Sequence, residues 1–327
     1  MKSIILLLSF VMIWAGCSTK QNTKIIDGMA QGSTYHIVIA QDTVFGIQNS
    51  IDSLFDEINN SLSIYNSNSL LSRINRNETD LLDSHLIECL NRSIEMSKLS
   101  NGAFDVTVMP LVKAYGFGKG SAVQSPNIDS LLQFVGYEKI AIKGNRLIRK
   151  DSRVQIDLNA IAQGYTVDKL AEIFDKRGIK NYLIEIGGEI FARGEKFEGK
   201  SWIVGIDSPR EGNYVPGNEL ILKLAMKNNG LATSGNYRKF YTDSTGRKIV
   251  HTINPKTGLP VVSSLLSATV VAEDATTADA LGTMFMVIGL DEAKKFLAEH
   301  PNIDALLIYD ENGEFKIFKT PNLKTIE

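Results

Sequence analysis

The sequence predicts an α+β fold of mixed sheets with packed helices. Two patterns carry that prediction. Apolar residues recur at helical spacing in Val44, Ile47, Ile51, Phe55 and Ile58, and again on the face shared by Val167, Leu170, Ala171 and Phe174. Alternating or short apolar runs mark strands at 182–186, 202–206, 220–226 and 265–273. With 327 residues, 43% hydrophobic and 22% charged, and a net charge of −2, the chain is ordinary globular protein, which argues against nucleic acid as a partner.

At the N-terminus, Lys2, an apolar run over 4–14 and the small residues Ala15-Gly16 before Cys17 read as an export signal, the run being too short for a comfortable membrane span. A Cys directly after Ala-Gly resembles a bacterial lipobox, although Trp14 stands where such motifs usually have Leu. On that reading 1–16 is a lipoprotein signal peptide, the Cys17 thiol carries lipid, and 17–24 is a tether. An ordinary secretory signal with an incidental Cys is the other reading. If Cys17 is lipidated, Cys89 is the remaining cysteine and no internal disulfide forms. Cys89 shares a helical face with Leu86, Leu90 and Ile94 and reads as core. A metal site built of Cys and His is excluded by scarcity.

Alternation after Gly32 predicts a strand to Ile39, and the first amphipathic helix is expected to end near Asn59-Asn60. Residues 61–69 are polar and turn-like and leave Tyr65 exposed. A second helix covers 84–99 and stops at Ser100-Asn101-Gly102. Asp105, with apolar neighbours on both sides, is expected to be partly buried and so to need a donor: a loop N–H or an N–H of a ligand. Residues 154–165 read as a strand, a Gly turn and a helix ended by Gly178, without the Gly-Lys-Ser/Thr ending of a P-loop. Gly187-Gly188, before Glu189, permit close backbone approach.

The stretch after Leu231 has turn chemistry over Ser234-Gly-Asn-Tyr-Arg238, and the absence of a G-x-S-x-G elbow argues against a nucleophilic Ser. Residues 251–260 are dense in turn formers. His251 there is either part of a rigid hairpin loop or a polar contact for a ligand. A strand pair, 303–309 with 315–318, closes the chain after a helix near 291–299.

The stretch 274–283 follows one strand and opens a helix, for which Asp274 or Thr276 is a cap. Asp279 and Thr283 stand one turn apart on one face, close enough to share a ligand. Oxygen donors of this kind suit Mg2+, and the helix start offers N–H groups and a positive dipole end to phosphate. Plain capping of a first turn is the other reading of the same residues.

Six motifs occur in the order found in one family: Gly102-Ala-Phe-Asp-Val-Thr107 with Pro110-Leu111, Asp157-Leu-Asn-Ala-Ile-Ala-Gln-Gly-Tyr165 with Asp168, Ile186-Gly-Gly-Glu189, Thr233-Ser-Gly-Asn-Tyr-Arg238, His251-Thr-Ile-Asn-Pro-Lys-Thr-Gly258 and Ala278-Asp-Ala-Leu-Gly-Thr283. Over nearly all of its length after the signal the chain resembles the FAD:protein FMN transferases, the ApbE-type bacterial lipoproteins, which makes 25–327 one flavin transferase domain. Residue pattern alone reaches no further than a soluble exported domain of α/β type.

The resemblance implies cleavage of FAD, transfer of FMN through a phosphoester to a Thr of a membrane redox complex subunit, and release of AMP. It implies Mg2+ held by Asp279, Thr283 and the main-chain carbonyl of Ala160. It implies FAD contacts at Met29, Tyr65, Ala103, Phe104, Asp105, Asp157, Gln163 and Ile253, with Ser234, Gly235 and His251 beside them. As proton acceptor from the incoming Thr, His251 competes with Asp279 and with a metal-bound water. Many relatives have Lys where this chain has Gln163, a loss of positive charge that still leaves an amide donor. The expected setting is the bacterial cell envelope, lipid-anchored and facing the periplasm. An FAD pyrophosphatase giving free FMN and AMP, and a lipoprotein that binds FAD without turnover, are the alternatives.

Overall fold

The computed structural model describes residues 23–41, 45–118, 126–210, 212–213, 215, 217–237, 240–242, 246 and 248–326. The export signal, Cys17, the tether before Thr23, Val44 and Arg238 lie outside them.

A hairpin of β1 (Lys24–Ala30) and β2 (Ser33–Ile39) is followed by α1 (Ile47–Leu62), α2 (Leu70–Asn75), α3 (Ser84–Leu99), α4 (Met109–Ala114) and α5 (Ile128–Leu132). A second hairpin, β3 (Ile140–Lys143) with β4 (Arg146–Arg149), precedes α6 (Ala162–Lys176), β5 (Tyr182–Ile186), β6 (Glu189–Arg193), β7 (Trp202–Asp207), β8 (Leu220–Met226) and β9 (Asn229–Gly235). Then come β10 (Phe240–Thr242), β11 (Lys248–Val250), β12 (Leu265–Ala272), α7 (Ala275–Ile288), α8 (Leu290–Glu299), β13 (Asp304–Glu311), β14 (Glu314–Lys319) and β15 (Thr325–Ile326).

The main sheet has the order β1-β2-β5-β6-β9-β12-β13-β14, each neighbouring pair antiparallel. One face carries the helices: Ile37, Ile184, Ile186 and Leu307 pack with Ile51, Leu86, Cys89, Phe174 and Phe285. The other face carries the smaller sheet β15-β8-β7: Leu183, Ile190, Leu306 and Ile308 pack with Trp202, Ile206, Leu224 and Met226. Strand side chains alternate between faces, so covering both faces makes most positions apolar. Hence 182–186 and 303–309 are largely hydrophobic runs, interrupted at Glu185 and Asp304. Each large aliphatic or aromatic side chain so buried stabilises the fold by about 1.5–3 kcal/mol.

The α+β expectation holds, with local differences. The first helix continues past Asn59-Asn60 to Leu62, because Ser61 and Leu62 are themselves buried. The strand expected over 154–157 does not form. Ile156 donates its N–H to Asn75 Oδ1 at 2.8 Å and accepts from Asn75 Nδ2 at 2.8 Å, and Asp157 N–H goes to the Val106 carbonyl at 2.8 Å. An amide side chain and a loop therefore satisfy backbone that looked as if it needed a neighbouring strand. Gly164 is not in a turn but inside α6, and Ser234-Gly235 end β9, the turn beginning at Asn236.

Register also shapes one end of the main sheet. β6 pairs with β9 only over Asn229–Leu231, whereas β12 accompanies β9 as far as Gly235. The β5–β6 turn at Gly187-Gly188 thus stops short, leaving a step beside Thr233–Gly235. Gly187 and Gly188 have φ of +66° and +109°, a region that disfavours any side chain.

Candidate active site

The site is built where α6 and α7 cross. Asp274 caps its own helix, Oδ1 accepting the Thr277 N–H at 2.6 Å, and Arg92 of α3 holds Asp274 Oδ2 at 2.9 Å. The other first-turn amides of α7 go to a different helix: Asp168 of α6 accepts from Ala275 N–H at 2.9 Å, Thr276 N–H at 2.8 Å and the Thr276 hydroxyl. This corrects one expectation. The amides of Ala275, Thr276 and Thr277 are already taken by carboxylates, so the start of α7 does not offer them to phosphate.

The reverse contact runs from α6 to α7. Ile161, which precedes the first residue of α6, has no side chain able to cap, and Gly164 N–H instead donates to Asp279 Oδ2 at 3.1 Å. Close approach requires the glycine: a Cβ there would lie 2.4 Å from the Ala275 carbonyl oxygen. The two helices cap each other, Asp168 on α7 and Asp279 on α6.

Asp279 is 6% exposed. Burial holds its carboxyl far above the usual range and the charge of Asp168 adds to this, against the Gly164 N–H. Burial likewise pushes Asp168 up to about 6, opposed by its bonds from Thr276 and Ala275 and reinforced by the charge of Asp274. The crossing thus gathers two carboxyl groups with an unmet need for positive charge.

That need fits a cation. Thr283 follows Asp279 by one turn of α7, and the Ala160 carbonyl, just before α6, accepts no backbone hydrogen bond among the described residues. Carboxylate, hydroxyl and carbonyl are all hard oxygen donors. With few protein ligands, the remaining positions of Mg2+ stay open to water and phosphate. Among the described residues no three His, Cys, Asp or Glu form a metal cluster, which leaves this mixed oxygen set.

Several expected FAD contacts gather here. The Gln163 amide lies against Gly187, where a Cβ would come 2.2 Å from Nε2. Ser234 Oγ would be 2.9 Å from a Cβ on Gly282, between Asp279 and Thr283 in α7, and Gly235 lies under the Tyr237 ring. The Thr252 hydroxyl donates to Asn236 Oδ1 at 2.6 Å, tying the His251 loop to the end of β9. His251 itself lies edge-on to Phe117, ring centroids 6.3 Å apart.

A second group surrounds Asp157. Tyr65, 55% exposed, accepts a bond from Asn159 Nδ2 at 3.4 Å; partial burial and the charge of Asp157 raise its phenol. Burial raises Asp157 too, against the Asn159 N–H and the charge of Lys113. Asp105 does tie a loop: it accepts from Thr107 N–H at 2.8 Å, the Thr107 hydroxyl at 2.7 Å and Tyr137 N–H at 2.7 Å. Burial still raises its carboxyl above the usual range. The side chains of Ala103, Phe104 and Ile253 are buried, which leaves their backbone as the surface for a ligand. Met29 stands 71% exposed at the end of β1.

Reading the sequence gave no role to Asp168, Arg92 or Asn75. For Asp168 the available signals were its place in the second of the six motifs and a carboxylate next to the apolar face of an expected helix. For Arg92 and Asn75 there was none, because their partners lie far away in the chain.

The chain matches the ApbE family over residues 31–307. It is 33% identical to an FAD:protein FMN transferase of Haemophilus influenzae, covering 94% of this chain and 93% of that one. An FAD:protein FMN transferase of Vibrio cholerae is 31% identical, over 99% and 98% of the two chains. Among solved structures, the apo flavinyl transferase ApbE of Pseudomonas stutzeri superposes with a TM-score of 0.82 at 28% identity, covering 92% of this chain and 95% of that one.

Proposed function

This chain belongs to the ApbE family, and on that premise we propose how it works as an FAD:protein FMN transferase. The hydroxyl oxygen of an acceptor Thr attacks the FMN-side phosphorus of FAD. A phosphoester forms, the bond from that phosphorus to the bridging oxygen breaks, and AMP leaves with the bridging oxygen. Asp279, Thr283 and the Ala160 carbonyl would hold Mg2+. When bound, Mg2+ neutralises charge on the pyrophosphate, the main requirement of phosphoryl-type transfer.

The chain's own groups supply position. Gly187 and Gly188 let backbone approach the phosphates, and the Gln163 amide beside them is a neutral donor. Tyr65, Asp157 and the backbone of 103–105 and Ile253 bound the flavin and adenine side, with Met29, Ser234 and Gly235 at the sheet end. His251, on the loop tied to β9, accepts the Thr proton. The observation that carries this reading is Asp279: a buried carboxylate with a single described hydrogen-bond donor, Gly164 N–H, one helical turn before Thr283 in α7.

The acceptor is a subunit of a membrane flavin redox complex, and the protein works lipid-anchored through Cys17, facing the periplasm. The apolar run and Ala15-Gly16-Cys17 support that placement. Among the described residues no helix is long and apolar enough to cross a membrane. Palmitate labelling that disappears in Cys17→Ser is the expected result; labelling that persists would remove Cys17 as the anchor.

The function is tested by intact-mass analysis of such a subunit incubated with FAD, Mg2+ and the chain from residue 18 onward. A gain of one FMN phosphoester, abolished by EDTA, is expected. AMP without a mass gain would indicate a pyrophosphatase, and bound FAD with neither product a flavin-binding protein. Asp279→Ala is expected to keep the fold and lose Mg2+-dependent turnover; unchanged activity would exclude Asp279 from the metal site.

A further inference from the structure

We infer that Asp168, which is not among the proposed metal donors, is the positioning residue for Asp279 and governs how tightly the crossing binds a divalent cation. The inference rests on the Mg2+ reading above and adds a residue to it.

Asp168 makes no bond to the Asp279 side chain. It acts on the backbone that carries Asp279, accepting both Ala275 N–H and Thr276 N–H and also the Thr276 hydroxyl. Those residues are the first turn of α7, and Asp279 begins the next. Asp274, with Arg92 behind it, secures the third amide of the same turn. On the opposite side, Gly230 lies so close that a Cβ there would meet Ala275 N at 2.2 Å. Asp168 is therefore the member of this clamp that comes from α6, the helix that also brings Gly164 and follows Ala160. A shift of α7 relative to α6 would separate Asp279 and Thr283 from the Ala160 carbonyl, and the three bonds to Asp168 oppose that shift.

Charge acts in the same direction. A second carboxylate near Asp279 strengthens the local attraction for a cation, as outer-shell carboxylates do in metal sites. Loss of position and loss of charge both weaken binding, so the predicted sign is unambiguous.

The test is calorimetric titration of Mn2+ and Mg2+ into the chain from residue 18 onward without FAD, together with amide exchange over 275–277. For Asp168→Asn, faster exchange and a metal Kd weakened about tenfold or more are expected. Faster exchange or a lower Tm with Kd unchanged would overturn the inference, since a merely structural cap would give that result. If Asp168→Asn does not fold, Thr276→Val decides. It keeps the charge of Asp168 and both amide bonds, and its Kd is expected to weaken about threefold; an unchanged Kd would overturn the inference. A wild-type chain that binds neither ion would instead refute the metal reading itself and the inference with it, an outcome distinct from equal binding by wild type and variants.

Discussion

Gly164 gives its backbone N–H to Asp279 Oδ2 at 3.1 Å, and the absence of a side chain at Gly164 is what lets α6 and α7 come this close. A Cβ there would meet the Ala275 carbonyl oxygen at 2.4 Å and the Asp279 Cβ at 2.9 Å. Neither is the far end of a flexible side chain, so the helices themselves must separate. In an ordinary helix interior Gly→Ala stabilises by about 0.5–1 kcal/mol. For Gly164→Ala the sign is expected to reverse, to a loss of about 1–3 kcal/mol in urea unfolding, with loss of metal-dependent transfer. A variant as stable and active as wild type would show that the crossing tolerates the methyl group.

The raised carboxyl of Asp168 makes the metal-free protein sensitive to pH in a definite direction. Its folded pKa of about 6 stands above the ordinary Asp value of 3.8, so the folded state binds the proton more tightly than the unfolded one. Stability from this group is full below pH 3.8 and is lost as pH rises towards 6. The amount is on the order of 3 kcal/mol before relaxation of the surrounding structure. Melting in EDTA is expected to show Tm falling over that window, with a shallower fall in Asp168→Asn. Equal slopes in the two proteins would mean that Asp168 is not perturbed by folding.

Much of this architecture was legible in the chain because one local rule sufficed. Helix 84–99, with Asn101-Gly102 beyond its end, and strands 182–186 and 220–226 have the bounds expected from periodicity and breakers. The segment 154–157 was misread because its apolar alternation is that of a strand, yet its partner is Asn75, and no local pattern encodes a side chain standing in for a strand. Gly164 was misread similarly: a glycine at a helix start suggests a turn, whereas close packing against Ala275 is a tertiary fact. Asp279 and Thr283 stand one turn apart in one helix, as their spacing predicts. The amides expected to face phosphate were not free, since Asp168 reaches them from a helix more than a hundred residues earlier in the chain.

If Asp279 holds the metal as proposed, stability and function oppose each other there. Its carboxylate is buried near the charge of Asp168 without a compensating cation among the described residues. Asp279→Asn keeps an oxygen for the Gly164 N–H and removes the charge. At neutral pH in EDTA the variant is expected to be more stable than wild type by about 1 kcal/mol or more, while Mg2+ no longer raises its Tm and transfer is lost. A lower Tm in EDTA would show that the ionised carboxylate is well accommodated without metal.

Asn75 is expected to be as important as residues nearer the chemistry, because it replaces the strand that the 154–160 segment lacks. Its side-chain oxygen takes the Ile156 N–H and its nitrogen donates to the Ile156 carbonyl, both at 2.8 Å, while its own carbonyl accepts from Gln155 Nε2 at 2.9 Å. Asn75→Ala leaves a donor and an acceptor of Ile156 unpaired in a dry environment, at about 1–3 kcal/mol each, so a total loss of about 2–6 kcal/mol is expected. Asn75→Asp is no remedy: it can still accept the N–H, but it sets a carboxylate oxygen against the Ile156 carbonyl, leaving a repulsion where there was a bond. Since this segment carries Asp157 and Ala160, the alanine variant is also expected to lose transfer activity under conditions where it remains folded. Urea unfolding and transfer assays on both variants check this, and a cost below about 0.5 kcal/mol would mean that the Ile156 backbone finds other partners.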